Sequence, residues 1–165
     1  MEMPDAEAEC DMICSTPLTS RSLTSGGLIM AGCIFCKIIR GESPCEKVYE
    51  DERVISFLDI NPVSAGHTLV LPRKHFVTLF DIPEEDLKAC TLACQKIAKA
   101  VLSATKASGL NLLENNYRAA GQLVDHVHFH LIPRFPYDNL RLWPAEHGRP
   151  PGTLAEMLAR IKAEL

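Results

Sequence analysis

Three histidines at alternate positions, His126, His128 and His130, carry the most evident potential for chemistry in the sequence. They lie in the stretch HVHFHLIPR, where the residues between them are apolar. Alternate side chains of a β-strand share one face, so the pattern predicts three imidazoles on one side of a strand and apolar core on the other. A neutral imidazole is a competent nucleophile toward phosphorus, and a second imidazole can hold its tautomer or donate a proton. The stretch therefore indicates phosphoryl chemistry.

Two other interpretations of these histidines are open. Each histidine is also compatible with a hydrogen-bonded place in the core, but three in register make an unusual demand, because every buried imidazole needs a partner. The triad is also compatible with a catalytic metal, since His-x-His on a strand is a chelating spacing. That mechanism needs a general-base carboxylate, and the adjacent Asp125 is predicted to point to the opposite side of the strand. We therefore favour a histidine nucleophile.

The elements that must position these side chains predict an antiparallel α+β domain. A short helical turn is predicted over CIFCKII, strands over KVYE, RVISFLDI, HTLVLP, LNLLENN and DHVHFHLIP, and a loop over YRAAGQ, whose backbone N–H groups are suited to an anion. One long helix is predicted from Pro83 to the neighbourhood of Ser108-Gly109. Strands joined by short turns, with one long helix inserted, favour an antiparallel sheet over a doubly wound parallel one.

Length, composition and charge limit the class of protein. The 165 residues are 47% hydrophobic and 23% charged, which is typical of one soluble domain, and no apolar run is long enough to cross a membrane. The net charge of −4 argues against nucleic acid as a partner. Seven cysteines, an odd number, and a start unlike a secretory signal favour a reducing compartment. We predict the cytoplasm, with the nucleus as an alternative.

The chain divides into three predicted parts. Residues 1–30 predict a disordered, acidic and Ser/Thr-rich extension, whose acidity counts against a mitochondrial transit peptide, and Met30 is an alternative start of translation. Residues 31–136 form the predicted folded domain. Residues 137–165 predict a Pro-rich arm and a C-terminal helix that begins near Thr153.

The sequence resembles the histidine-triad (HIT) superfamily. HVHFHL fits its His-x-His-x-His-x pattern, and CIFCKIIRGESP, FLDINPVSAGHTLVLPRKH and the AGQ before the triad are similar to the same superfamily in the same order. The resemblance covers about Cys33 to Arg134 and is closest to the Hint-like and bacterial HIT branch. It implies a HIT-like fold that forms a homodimer with one continuous sheet. It also implies a purine nucleotide, AMP or GMP or a derivative, in a cleft on each protomer.

The resemblance also implies catalytic roles. His128 corresponds to the nucleophile that takes the nucleotidyl group, and His130 and His67 flank it to assist phosphate binding and proton transfer. Asp59 corresponds to the carboxylate that accepts the ribose hydroxyls. The alternative for Asp59 is a cap for the turn before Asn61-Pro62.

Further residues correspond to the nucleotide-binding pocket of the family. The apolar slot for the base corresponds to five residues that are each also compatible with plain core: Phe35, Ile38, Phe57, Ile60 and Leu69. The polar contacts to phosphate correspond to Asn115 and Gln122, although Asn115-Asn116 is also compatible with a simple strand end. Leu123 stands where many relatives carry Ser or Thr, and the missing hydroxyl puts the rate and the preference for a nitrogen leaving group in question.

A metal site is predicted beside the histidines. Cys33 and Cys36 have the CxxC spacing that binds Zn(II), but this spacing needs two more ligands. In metal-binding members of the HIT superfamily, which the sequence resembles, the two further ligands correspond to His75 and His126. Four protein ligands would make the zinc structural rather than catalytic. The alternative is that both cysteines behave as buried apolar residues.

The function expected from these features is hydrolysis of a purine nucleoside 5'-monophosphoramidate. His128 would attack phosphorus, release the amine and form a nucleotidyl-histidine that water then cleaves. No organic cofactor is expected. Two alternatives are a dinucleoside polyphosphate hydrolase of the Fhit-like branch, and a nucleotide-binding adaptor whose catalysis is vestigial.

Overall fold

The structure is a computed structural model that describes residues 32–141 and 153–165. The helices are α1 (Ile34–Ile39), α2 (Glu84–Thr105) and α3 (Leu154–Ala163), and the strands are β1 (Lys47–Glu50), β2 (Val54–Leu58), β3 (Thr68–Pro72), β4 (Gly109–Glu114) and β5 (Phe129–Arg134). The predicted extension over residues 1–30 and residues 142–152 of the predicted arm lie outside the described residues.

The five strands form one antiparallel sheet in the order β1, β2, β3, β5, β4. Strand β5 lies between β3 and β4, so that His130 is opposite Leu69 on one side and Leu113 on the other. The predicted α+β class, with one long helix and a short N-terminal helix, is confirmed. Among the residues that the structure describes, no helix is both long and apolar enough to cross a membrane.

The two faces of the sheet carry different clusters of buried residues. Val70, Val127 and Leu131 pack with the apolar face of the long helix α2. Ile55, Phe57, Leu69 and Leu71 pack with Phe35 on the opposite side, next to α1. Because strand side chains alternate, the sheet buries apolar residues on both faces, and each cluster is closed by one helix.

The long helix α2 begins where the sequence predicts and ends slightly earlier. Pro83 precedes its first turn, in which three acidic side chains stabilise the positive end of the helix dipole. The helix ends at Thr105 and is followed by Lys106, whose φ of 57° is left-handed, so it stops before Ser108-Gly109. Cys90 and Cys94 lie on its buried face, where burial raises the pKa of both thiols to about 12. They are core residues.

The triad strand is shorter than predicted. Strand β5 begins at Phe129, so that His126 and His128 precede it. The backbone N–H of His126 donates to Val124 O at 2.8 Å, and that of Val127 donates to Phe76 O at 2.7 Å. These bonds lead outside the sheet, which explains why strand pairing starts later. The predicted alternation nevertheless holds, because Val127 packs toward α2 while the rings of His126 and His128 contact Phe35.

Candidate active site

The His128 ring is held in one tautomer by the backbone. Its Nδ1 lies 2.6 Å from the carbonyl oxygen of His126. A carbonyl oxygen only accepts, so Nδ1 carries the proton and Nε2 keeps its lone pair. Burial lowers the pKa of His128, an effect that the bond to His126 O and the charge of Asp59 only partly offset. The ring is therefore neutral near pH 7, with a nucleophilic nitrogen at Nε2.

A second pair of imidazoles lies beside this ring. His67, from the turn before β3, places Nε2 2.9 Å from Nδ1 of His130 on β5. The rings of His130 and His128 have centroids 4.8 Å apart. Burial is the main cause that lowers the pKa of His67, and it lowers that of His130 to about 4. The structure thus brings the three predicted catalytic histidines into one row of neutral rings.

Asp59 connects this row to the loop after β2. Its Oδ1 accepts the N–H of Asn61 at 2.8 Å, so the turn cap considered as its alternative role is present. Its Oδ2 lies 3.5 Å from Nδ1 of His67. The N–H of Val63 also reaches that Nδ1, at 3.4 Å. The carboxylate is partly exposed, so the cap leaves room for the predicted contact with ribose hydroxyls, which stays a prediction.

The apolar residues predicted to hold a base divide into two groups. Phe35, Phe57 and Leu69 are buried in one cluster, and Ile38 packs against it half-buried. Ile60 is 91% exposed and does not belong to the cluster. Strand β2 ends at Leu58, and the Asp59 turn interrupts the alternation that would have buried Ile60. Ile60 therefore lies outside the buried cluster, and the contact of all five residues with a base stays a prediction.

The Gln122 amide has a role that the sequence did not predict. Its Oε1 accepts the N–H of Tyr117 at 2.7 Å, and its Nε2 donates to Val77 O at 2.6 Å. The side chain is 1% exposed and shapes the loop that contains a 3-10 turn at Arg118–Ala120. Asn115 lies at the start of this loop, partly buried. The contacts of both amides with phosphate stay predictions.

The four predicted metal ligands converge. The Sγ atoms of Cys33 and Cys36 both lie 3.7 Å from Nδ1 of His126, and Sγ of Cys36 lies 3.3 Å from Nδ1 of His75. Zn–S bonds of about 2.3 Å and Zn–N bonds of about 2.0 Å at tetrahedral angles separate sulfur and nitrogen by roughly 3.5 Å. The four residues therefore fit a tetrahedral zinc ion.

The protonation of His126 also suits a metal. Its Nε2 lies 2.9 Å from Pro72 O and must carry the proton, which leaves the lone pair on Nδ1, facing the thiols. Burial lowers the pKa of His126 to about 4 and also lowers that of His75. Both rings are therefore neutral near pH 7, as metal ligation requires.

Sequence reasoning missed three groups that shape the site. Two are the carbonyl oxygens of Pro72 and His126, and no sequence signal marks a backbone acceptor. The third is the ring of Phe35 as a contact of histidines: its centroid lies 5.1 Å from that of His128 and 5.9 Å from that of His126. The position of Phe35 between Cys33 and Cys36 was a usable signal, because the cysteines were expected near His126.

Fold and site together define an α+β protein in which a neutral histidine that keeps its Nε2 lone pair lies beside a Cys2His2 cluster. The model of the HIT domain family matches residues 40–137, which is more than half of the chain. The chain belongs to the HIT family, and the resemblance of its motifs is confirmed.

Relatives and solved structures agree with this membership. The chain is 41% identical over 133 residues to adenylylsulfatase HINT3 of Arabidopsis thaliana, covering 81% of this chain and 66% of that relative, just under two thirds. It is 39% identical over 137 residues to adenosine 5'-monophosphoramidase HNT1 of Saccharomyces cerevisiae, covering 82% and 84%. A HIT family member from Bacillus subtilis has a TM-score of 0.74 at 41% identity, covering 81% of this chain and 97% of its own. A Zn-bound histidine triad protein from Mycobacterium smegmatis has a TM-score of 0.64 at 35% identity, covering 81% and 98%.

Proposed function

We propose that the protein is a nucleotide hydrolase that cleaves the P–N bond of purine nucleoside 5'-monophosphoramidates. The observation that carries the proposal is the His128 ring, whose Nδ1 proton is bound by His126 O so that Nε2 is left as a neutral nucleophile. Family membership and the names of relatives support the coarser class of nucleotide hydrolase. The yeast relative named adenosine 5'-monophosphoramidase supports the finer reaction.

The proposed reaction has two displacements. In the first, Nε2 of His128 forms a bond to phosphorus, the P–N bond breaks, and the amine leaves with a proton. In the second, water attacks phosphorus, the bond to Nε2 breaks, and the nucleoside monophosphate is released. Throughout, the proton stays on Nδ1 and donates to the His126 carbonyl oxygen, which stabilises the positive charge of the nucleotidyl imidazole.

We assign the proton transfers to the His67–His130 pair. The bond of 2.9 Å between their rings lets a proton lost at one ring be replaced from the other. Asp59, 3.5 Å from His67, favours the protonated form of that ring and completes the row. Because both rings are neutral near pH 7, they would relay a proton from solvent to the departing amine and then accept one from the attacking water.

Zinc and a second copy of the chain complete the proposal. Zn(II) bound by Cys33, Cys36, His75 and His126 would fix the start of the domain to the segment before β5 without taking part in the reaction. Strand β4 has β5 as its neighbour and lies at the edge of the sheet, with Leu112 half exposed. We propose a homodimer in which the edges of two β4 strands join. A cytoplasmic location stays a prediction.

A panel of three substrates tests the reaction. The purified protein and His128→Asn are assayed with an adenosine 5'-phosphoramidate, adenylyl sulfate and a diadenosine polyphosphate. We expect the phosphoramidate to have the highest kcat/KM and the variant to be inactive on all three while it still binds AMP. A preference for the diadenosine polyphosphate would contradict the proposed reaction. Binding of AMP without turnover of any substrate would favour an adaptor.

A further inference from the structure

Phe35 contacts the proposed nucleophile directly. Its ring meets the His128 ring edge to face, with centroids 5.1 Å apart and an interplanar angle of 75°. It makes a similar contact with Phe57, with centroids 5.6 Å apart, and it is 7% exposed. These contacts show that Phe35 has a second surface besides the one expected to face a base.

The contact with Phe35 restricts rotation of the His128 ring about χ2, which the hydrogen bond to His126 O does not fully prevent. The bond from Nδ1 to His126 O fixes one corner of the imidazole. The χ2 torsion of histidine has a broad distribution, so one corner alone does not fix the direction of Nε2. The His130 ring limits this rotation on one side, with centroids 4.8 Å apart, and the Phe35 edge adds a second contact.

Phe35 is also well placed to act as a fixed support. It lies in α1 between Cys33 and Cys36, whose sulfur atoms both approach the His126 ring. His126 in turn supplies the carbonyl that holds His128. Cys33 and Cys36, which connect α1 to the His126 segment, therefore flank Phe35 in the sequence.

We infer that Phe35 is a positioning residue that sets the direction of the His128 ring, in addition to any contact with a base. The kinetic consequence rests on the proposed function. An edge-to-face contact of this strength corresponds to about a 3- to 10-fold effect on a rate.

Steady-state kinetics separate positioning from base binding. Phe35→Leu keeps an apolar side chain and removes the ring edge, so we expect kcat to fall about 3- to 10-fold with KM changed less than 2-fold. Ile97→Ala, in the α2 cluster on the other face, controls for lost core packing and should lower thermal stability with kcat unchanged. A raised KM with unchanged kcat would assign Phe35 to the base slot alone and overturn the inference. If Phe35→Leu does not fold, Phe35→Met takes its place with the same expectations.

Nuclear magnetic resonance provides a readout that does not depend on turnover. Long-range ¹H–¹⁵N spectra of the metal-loaded wild type should show one Nδ1–H tautomer for His128. In Phe35→Leu we expect the two nitrogen shifts to move toward each other, as they do when tautomers exchange. Unchanged shifts in the folded variant would overturn the inference. Because this result needs no substrate, it separates failure of the inference from failure of the proposed reaction.

Discussion

His126 and His128 are the same residue type two positions apart, yet the structure gives them opposite chemistry. His126 donates Nε2–H to Pro72 O and directs the lone pair of Nδ1 toward two thiols. His128 donates Nδ1–H to His126 O and keeps the lone pair of Nε2. The backbone carbonyl that each ring meets selects its tautomer, and the tautomer decides whether the ring suits a metal or a phosphorus atom.

Replacement of His126 or His128 by asparagine should have the largest effects, and each replacement should affect a different property of the protein. His128→Asn removes the nucleophile but retains an N–H donor for the His126 carbonyl, so turnover should fall at least about 1,000-fold while zinc content and thermal stability stay near those of the wild type. His126→Asn should lose the bound zinc and should have a lower melting temperature than the wild type. Kinetics, metal analysis and thermal melting of both variants check this. Equal losses of turnover and zinc in both variants would contradict the separate roles of His126 and His128.

Removal of the metal tests the His126 side alone. Chelation, or Cys36→Ser, should reduce the zinc content from one ion to none per chain and lower the melting temperature. With zinc at about 1,000 times its dissociation constant, the lost stabilisation is about 4 kcal/mol. Cys90→Ser is the matched control, since Cys90 lies in the α2 cluster and should change stability without changing zinc content. Bound zinc in Cys36→Ser would contradict the ligand set.

His130 tests the row of imidazoles beside the nucleophile. His130→Asn removes the ring that accepts the contact from His67, so we expect kcat to fall about 100-fold, within the range for a lost proton-transfer group. The nucleotidyl adduct should still form, because His128 is unchanged. A variant that turns over as fast as the wild type would contradict the assignment of proton transfer to this pair.

The smallest expected effect is the dependence of stability on pH. Burial lowers the pKa of His130 to about 4, helped by His128 and His67 and opposed by Asp59. The folded ring stays neutral while the unfolded ring takes a proton near pH 6.5, so stability is complete above that pH and is lost as the pH falls toward 4. The loss from this ring between pH 7 and 5.5 is about 1 kcal/mol. Urea unfolding of wild type and His130→Asn should show a smaller pH dependence for the variant. An equal pH dependence of stability in both proteins would show that titration of His130 is not its cause.

The elements of the fold could be predicted where one period dominates the sequence. The apolar spacing along α2 and the short, almost continuous apolar runs of β2 and β3 determined these elements well. The start of β5 was placed too early, because the Val127 N–H bonds to Phe76 in a distant loop instead of a neighbouring strand. Bonds to residues far along the chain leave no local signal.

The sequence indicated which residues belong to the candidate site better than it indicated how they are arranged. Spacing identified the cysteine pair and the alternate histidines, because both act through side chains. Ile60 lies outside the buried cluster because the Asp59 turn ends the strand pattern just before it, so its contact with a base stays a prediction. The tautomers were beyond sequence reasoning, since they depend on where the carbonyls of Pro72 and His126 lie after folding.

The proposed reaction requires a bond between Nε2 of His128 and phosphorus. Intact-protein mass spectrometry after rapid quenching without acid, with an adenosine phosphoramidate as substrate, measures this bond directly. We predict a mass increase of one adenylyl group in the wild type and in His130→Asn, and none in His128→Asn. Turnover by the wild type without any adduct, or an adduct on His128→Asn, would contradict the account.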